Sequence, residues 1–118
     1  MPHVILEGPL DLQQFCATYK PVVKQHDGEI LKLLQAYLST RGDEALIEAI
    51  AIQNGYPVRF LVQILSRNNR TTVKLYPGTD PEKTNGVKKI IGIVARQLKA
   101  CSSGVQYGAN NLGEFLLE

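Results

Sequence analysis

The residues in this sequence best equipped for chemistry are cations gathered in its middle third. Arg59, Arg67, Arg70 and Lys74 flank a turn-prone Asn68-Asn69, with Tyr76 just beyond. Such a set can meet phosphate or carboxylate groups and stack a base, but charge on an exposed hairpin also simply discourages edge-to-edge pairing. Asp43, Glu44 and Glu48 form an acidic group around a turn, where carboxylates are ordinarily solvated. His3 has no partner at the spacing of a ligand set or a catalytic triad. Cys16 and Cys101 belong to neither a CxxC nor a CxxH pattern, so no metal or redox motif is present and both read as free thiols. Gly78-Thr79-Asp80-Pro81 lacks the lysine and glycine spacing of a phosphate-cradling loop.

The elements that must position these groups follow from apolar spacing. Pro2 to Glu7 reads as a strand punctuated by Gly8-Pro9. Leu12, Phe15, Cys16 and Tyr19 then recur at helical spacing until Pro21 ends the pattern. Ile30, Leu31, Leu33, Leu34, Tyr37 and Leu38 fit a helical stripe as well as a buried strand, and a helix ending near Gly42 is expected. Ala45 to Gln53 and Val58 to Ser66 flank Asn54-Gly55, a strong hairpin signal. Thr71 to Tyr76 has strand composition. Thr79 and Glu82 have capping-box spacing, with Pro81 suited to a first helical turn. The helix that follows is expected to bury Val87, Ile90, Ile91, Val94 and Leu98, with Cys101 at the end of the same stripe. Ser102-Ser103-Gly104 breaks it, and Val105 to Leu117 reads as a terminal strand.

With 118 residues, 44% hydrophobic and 20% charged, the chain fits one domain, residues 1–118, with an ordinary core. A net charge of +2 demands no acidic polymer, so nucleic acid is not expected as a partner. Apolar runs of only a few residues exclude a membrane-spanning helix. The start lacks the charge and apolar pattern of a signal peptide, which makes the cytoplasm the expected compartment. The order strand, helix, strand occurs once after Val4 and again, less regularly, after Leu61, and suggests a doubled βαβ unit.

The opening Met1-Pro2-His3-Val4-Ile5-Leu6-Glu7-Gly8, together with this doubled layout, resembles the tautomerase superfamily. Its members include oxalocrotonate tautomerase, carboxymethyl-hydroxymuconate isomerase and proteins like macrophage migration inhibitory factor. The resemblance implies an α+β fold: a two-layer β-α-β repeat with a mixed sheet, two main helices on one face and an extra hairpin strand. It also implies keto-enol isomerisation of a small 2-oxo or enol carboxylic acid in a homotrimer, with neither cofactor nor metal. By the same resemblance Pro2 is the catalytic base, because removal of Met1 leaves a secondary amine whose reference pKa, roughly 7.7 to 8.0, lies near neutrality. Arg41 would anchor the carboxylate, with Arg67 or Arg70 as a second cation, since a guanidinium pairs a carboxylate through two parallel bonds. The alternative it leaves open is a non-catalytic member that binds a small ligand or a protein.

Overall fold

Three two-residue turns set most of the sheet. The computed structural model describes residues 2–116. In it, Asp27-Gly28, Asn54-Gly55 and Asn68-Asn69 all have positive φ at both positions, 44° and 78°, 51° and 81°, 53° and 59°. Positive φ at both central residues matches the right-handed twist of the flanking strands and makes tight hairpins. The three turns join β2 (Val22–His26) to β3 (Glu29–Leu38), β4 (Glu44–Gln53) to β5 (Tyr56–Arg67), and β5 to β6 (Arg70–Leu75). Two strands from the chain's ends complete the set, β1 (His3–Glu7) and β7 (Gln106–Asn110).

Among the described residues these seven strands form one sheet in the order β2-β3-β4-β5-β6-β1-β7, with every pair antiparallel. The sheet curls into a half-barrel. Two helices are laid against it, α1 (Leu12–Thr18) and α2 (Asn85–Ala100). Alternation along the strands turns Val4, Leu6, Leu31, Leu33, Ile47, Phe60, Val62, Ile64, Val73 and Leu75 to the same face, where they share a core with Leu12 and Phe15 of α1 and with Val87, Ile90, Ile91, Val94 and Leu98 of α2. The expected stripe of α2 is fully buried from Val87 to Leu98, whereas Cys101, the residue that caps the helix, is exposed. Full burial of one such side chain contributes about 1.5–3 kcal/mol, which makes this helix the main counter-surface of the sheet.

The architecture corrects the expected fold. A two-layer β-α-β repeat needs parallel strands joined by a helix crossover, whereas α1 carries the chain from β1 to β2, at the far edge of an antiparallel sheet. The second supposed repeat, after Leu61, starts inside the long strand β5. The helix expected over Glu29 to Leu38 is strand β3, because Leu31 and Leu33 face the core in alternation and the Asp27-Gly28 turn pairs the segment with β2. The helix expected to start near Thr79 starts at Asn85, capped by Thr84, whose Oγ1 accepts from the Val87 N–H. Thr79 instead closes the turn after β6: its hydroxyl donates to the Tyr76 carbonyl at 3.1 Å and accepts from the Leu61 N–H at 3.3 Å.

Helix α1 is short, and its ends are tied down individually. Asp11 caps it by accepting from the Gln14 N–H at 3.0 Å, and just beyond it the Tyr19 hydroxyl donates to the Leu34 carbonyl at 2.8 Å. Burial pushes the Tyr19 phenol up to about 12. A raised phenol favours the protonated folded state, so its contribution is complete below the ordinary tyrosine pKa of about 10 and is lost as pH rises through the folded value. Urea unfolding across alkaline pH is expected to show stability falling over that window. Tyr19→Phe should cost about 1 kcal/mol at neutral pH and flatten the alkaline decline; an unchanged slope would refute the assignment. Tyr37 and Tyr107 are also raised, chiefly by desolvation, so part of the slope remains in the variant.

A cleft between the β2–β3 hairpin and helix α2

The β2–β3 hairpin extends past the core and leaves a cleft of about 660 Å³ between itself and α2. Lys24 and Leu31 are cross-strand partners, as are His26 and Glu29, so all four point to the helix side of the hairpin. Lys89, Ile93 and Arg96 follow at four- and three-residue steps along α2, which puts them on one helix face. Glu114 and Phe115, from a 3-10 turn at Gly113–Phe115, close one end. The floor is apolar, with Leu31 and Ile93 buried and Phe115 half-buried.

The charged groups of the cleft are arranged unequally. The Glu29 carboxylate, 14% exposed, accepts from Lys89 Nζ at 2.9 Å. A largely buried carboxylate needs such a partner, and the ammonium neutralises it within the wall. Lys24 and Arg96 then add positive charge above the apolar floor, with Glu114 on the rim. His26 lies 3.2 Å from Asp27, and both side chains are solvated. The cleft thus offers an apolar surface beside cations.

The structure distributes the residues singled out by sequence differently. Arg41, in the β3–β4 loop, and Arg67 and Arg70, across the β5–β6 hairpin, come together at one end of the sheet. Arg67 faces Asp43 at 3.6 Å and Arg70 faces Glu7 at 3.9 Å, exposed pairs each worth under about 1 kcal/mol. Pro2 is buried at the opposite end of β1, beyond His3, which pairs with Lys74 while Glu7 pairs with Arg70. The strand between them spans about 13 Å, so within one chain Pro2 and these arginines stand at opposite ends of β1. None of the four residues lines the cleft.

Burial pushes both thiols, Cys16 and Cys101, above the ordinary cysteine value, and Cys101 Sγ donates to the Leu98 carbonyl at 3.0 Å. Neither has thiolate character. Among the described residues no group of three or more His, Cys, Asp or Glu side chains is placed to hold a metal ion, and no helix is long and apolar enough to cross a membrane.

Sequence reasoning missed the cleft because it assigned β3 to a helix and β2 to no element. The Asp27-Gly28 pair carried the hairpin signal that would have revealed both strands. The Lys89, Ile93, Arg96 spacing was visible too, but only the hairpin opposite gives it meaning.

No family model, no curated protein and no solved structure matches this chain.

Proposed function

We propose that the protein is a binding module for a small molecule that joins an anionic group to an apolar body. The observation that carries this reading is the pairing, in one cavity of about 660 Å³, of the apolar floor Leu31, Ile93 and Phe115 with Lys24 and Arg96. Small-molecule sites are concave, mostly apolar and of this size, with a few polar groups that fix orientation. The apolar body lies on the floor and its anion meets the Arg96 fork, which pairs a carboxylate or sulfonate through two bonds. Lys24 on β2 supplies a second positive charge from across the cleft. Lys89 has a supporting role: it cancels the charge of Glu29, which would otherwise repel the ligand.

Titration with the fluorescent anion anilinonaphthalene sulfonate tests this reading, with displacement by decanoate and by uncharged decanol. Saturable binding at one site is expected, with decanoate the better competitor. Arg96→Gln should weaken decanoate about tenfold or more, because it removes the charge and at least one of the two bonds, and Lys24→Ala should weaken it less. Glu29→Gln should tighten anion binding, because it removes a carboxylate from the wall. Binding that is unsaturable, equal for decanoate and decanol, or indifferent to Arg96→Gln would overturn the proposal.

A further inference from the structure

The two edges of the sheet differ in how they are closed. Strand β7 shifts register against β1 between Val4 and Leu6, and Gly108 lies in its middle; such irregularity blunts an edge. Strand β2, at the other edge, pairs with β3 in unbroken register from Val22 opposite Leu33 to His26 opposite Glu29, and it contains no proline. Among the described residues no backbone group outside β3 is hydrogen-bonded to β2. Val23 to His26 are all exposed, Val23 at 62%. A regular edge of this kind offers a row of open N–H and C=O groups to another extended chain. The cleft reaches that edge. Lys24, Gln25 and His26 all line it, although alternation turns the Gln25 side chain to the other face, so Gln25 joins the lining from the margin of the strand.

We propose that β2 is a docking edge for an extended segment of another protein, one with an acidic residue between apolar ones, which adds to the sheet as a further strand. In this mode main-chain hydrogen bonds give affinity and alternate side chains give specificity. The charge on β2 selects the partner. Lys24 is the middle residue of the five and the only lysine or arginine on the strand. Among the described residues it is engaged in no ion pair. Full antiparallel pairing of β2 with a second copy sets Lys24 opposite Lys24, and like charges directly opposite disfavour pairing. A carboxylate in that position is attracted instead. The residues of the incoming strand that flank this acid on the same face lie opposite Val22 and His26, where they extend the apolar surface of Leu31 and Ile93. Docking of this kind depends on the β2 backbone and Lys24, and does not require that the cleft hold a small molecule.

Amide NMR titration of the whole chain with the peptide acetyl-Thr-Leu-Thr-Glu-Val-Leu-Thr-amide tests the proposal. Saturable shifts centred on Val22 to His26 are expected, with slowed hydrogen exchange of the β2 amides. Lysine in place of the peptide's glutamate should weaken binding about tenfold. Lys24→Glu should reverse that preference; Lys24 is exposed, so the substitution leaves the core untouched. N-methylation of one alternate set of peptide amides should abolish binding, and methylation of the other set should be tolerated, because only one set faces β2. Absence of saturable binding, equal affinity for the two peptides, equal effects of the two methylated sets, or a free chain that self-associates through β2 would overturn the proposal. Decanoate titration of the same samples separates the two readings. Peptide binding without decanoate binding upholds the docking edge and overturns the small-molecule site, and the reverse overturns the docking edge alone.

Discussion

Gly8→Ala is expected to destabilise the protein by roughly 3 kcal/mol or more, the largest loss from any single methyl group considered. Gly8 ends β1 at φ 122°, a conformation that side-chain-bearing residues rarely adopt. A Cβ at that position would lie 2.3 Å from the Gly104 carbonyl oxygen, which is backbone and cannot rotate away. The site is also a junction. The Gly8 N–H donates to the Asn69 carbonyl at 2.9 Å, and the neighbouring Pro9 carbonyl accepts from the Ser102 hydroxyl at 2.9 Å. The β1–α1 connection, the β5–β6 turn and the segment after α2 therefore meet around one glycine, and moving it disturbs all three. Thermal and urea unfolding measure the effect. A loss below about 1 kcal/mol would mean that the Gly104 segment yields easily and that the junction is not a constraint.

Gly92→Ala should have a different signature, with little change in stability and a large change in binding. Gly92 lies in the middle of α2, where alanine is intrinsically better by about 1 kcal/mol. Yet a Cβ there would sit 2.5 Å from the Phe115 carbonyl oxygen and 3.1 Å from its Cβ. The 3-10 turn must then leave the helix, and with it go Phe115 and Glu114, the end wall of the cleft. The helix gain offsets much of the lost turn packing, so unfolding should register little. A ligand that loses contact with a phenyl ring gives up about 2 kcal/mol, a weakening of roughly thirtyfold for decanoate. Retained affinity would show that the 3-10 turn is not part of the site.

The two glycines illustrate why part of this molecule could be read from the sequence and part could not. Local signals did well. Gly8-Pro9 marked the end of β1, Asn54-Gly55 marked the β4–β5 hairpin, and the 3.6-residue spacing of Val87, Ile90, Ile91, Val94 and Leu98 marked the buried face of α2. Each depends on residues close in the chain, whose conformational preferences act whatever they later touch. The segment Glu29 to Leu38 went the other way because its apolar residues satisfy both periods, and only pairing with β2 and β4 chooses between them. The same ambiguity concealed the candidate site, since Lys24 and Leu31 face Ile93 and Arg96 only once β2 and β3 form a hairpin.

Pro2 and the arginines show the converse. The family resemblance grouped them in one site, whereas strand register sets them apart within one chain along β1, with Pro2 beyond the His3 end and Arg70 at the Glu7 end. Register is a property of pairing across the sheet and has no local sequence signature here. The sequence by itself therefore determined the turns, the buried stripe of α2 and most strands, because these rest on backbone preference and apolar periodicity. The antiparallel order, the curled sheet and the cleft with its paired Glu29 and Lys89 were decided by tertiary structure alone. They arise from contacts between residues tens of positions apart, and those contacts exist only after the chain has closed on its core.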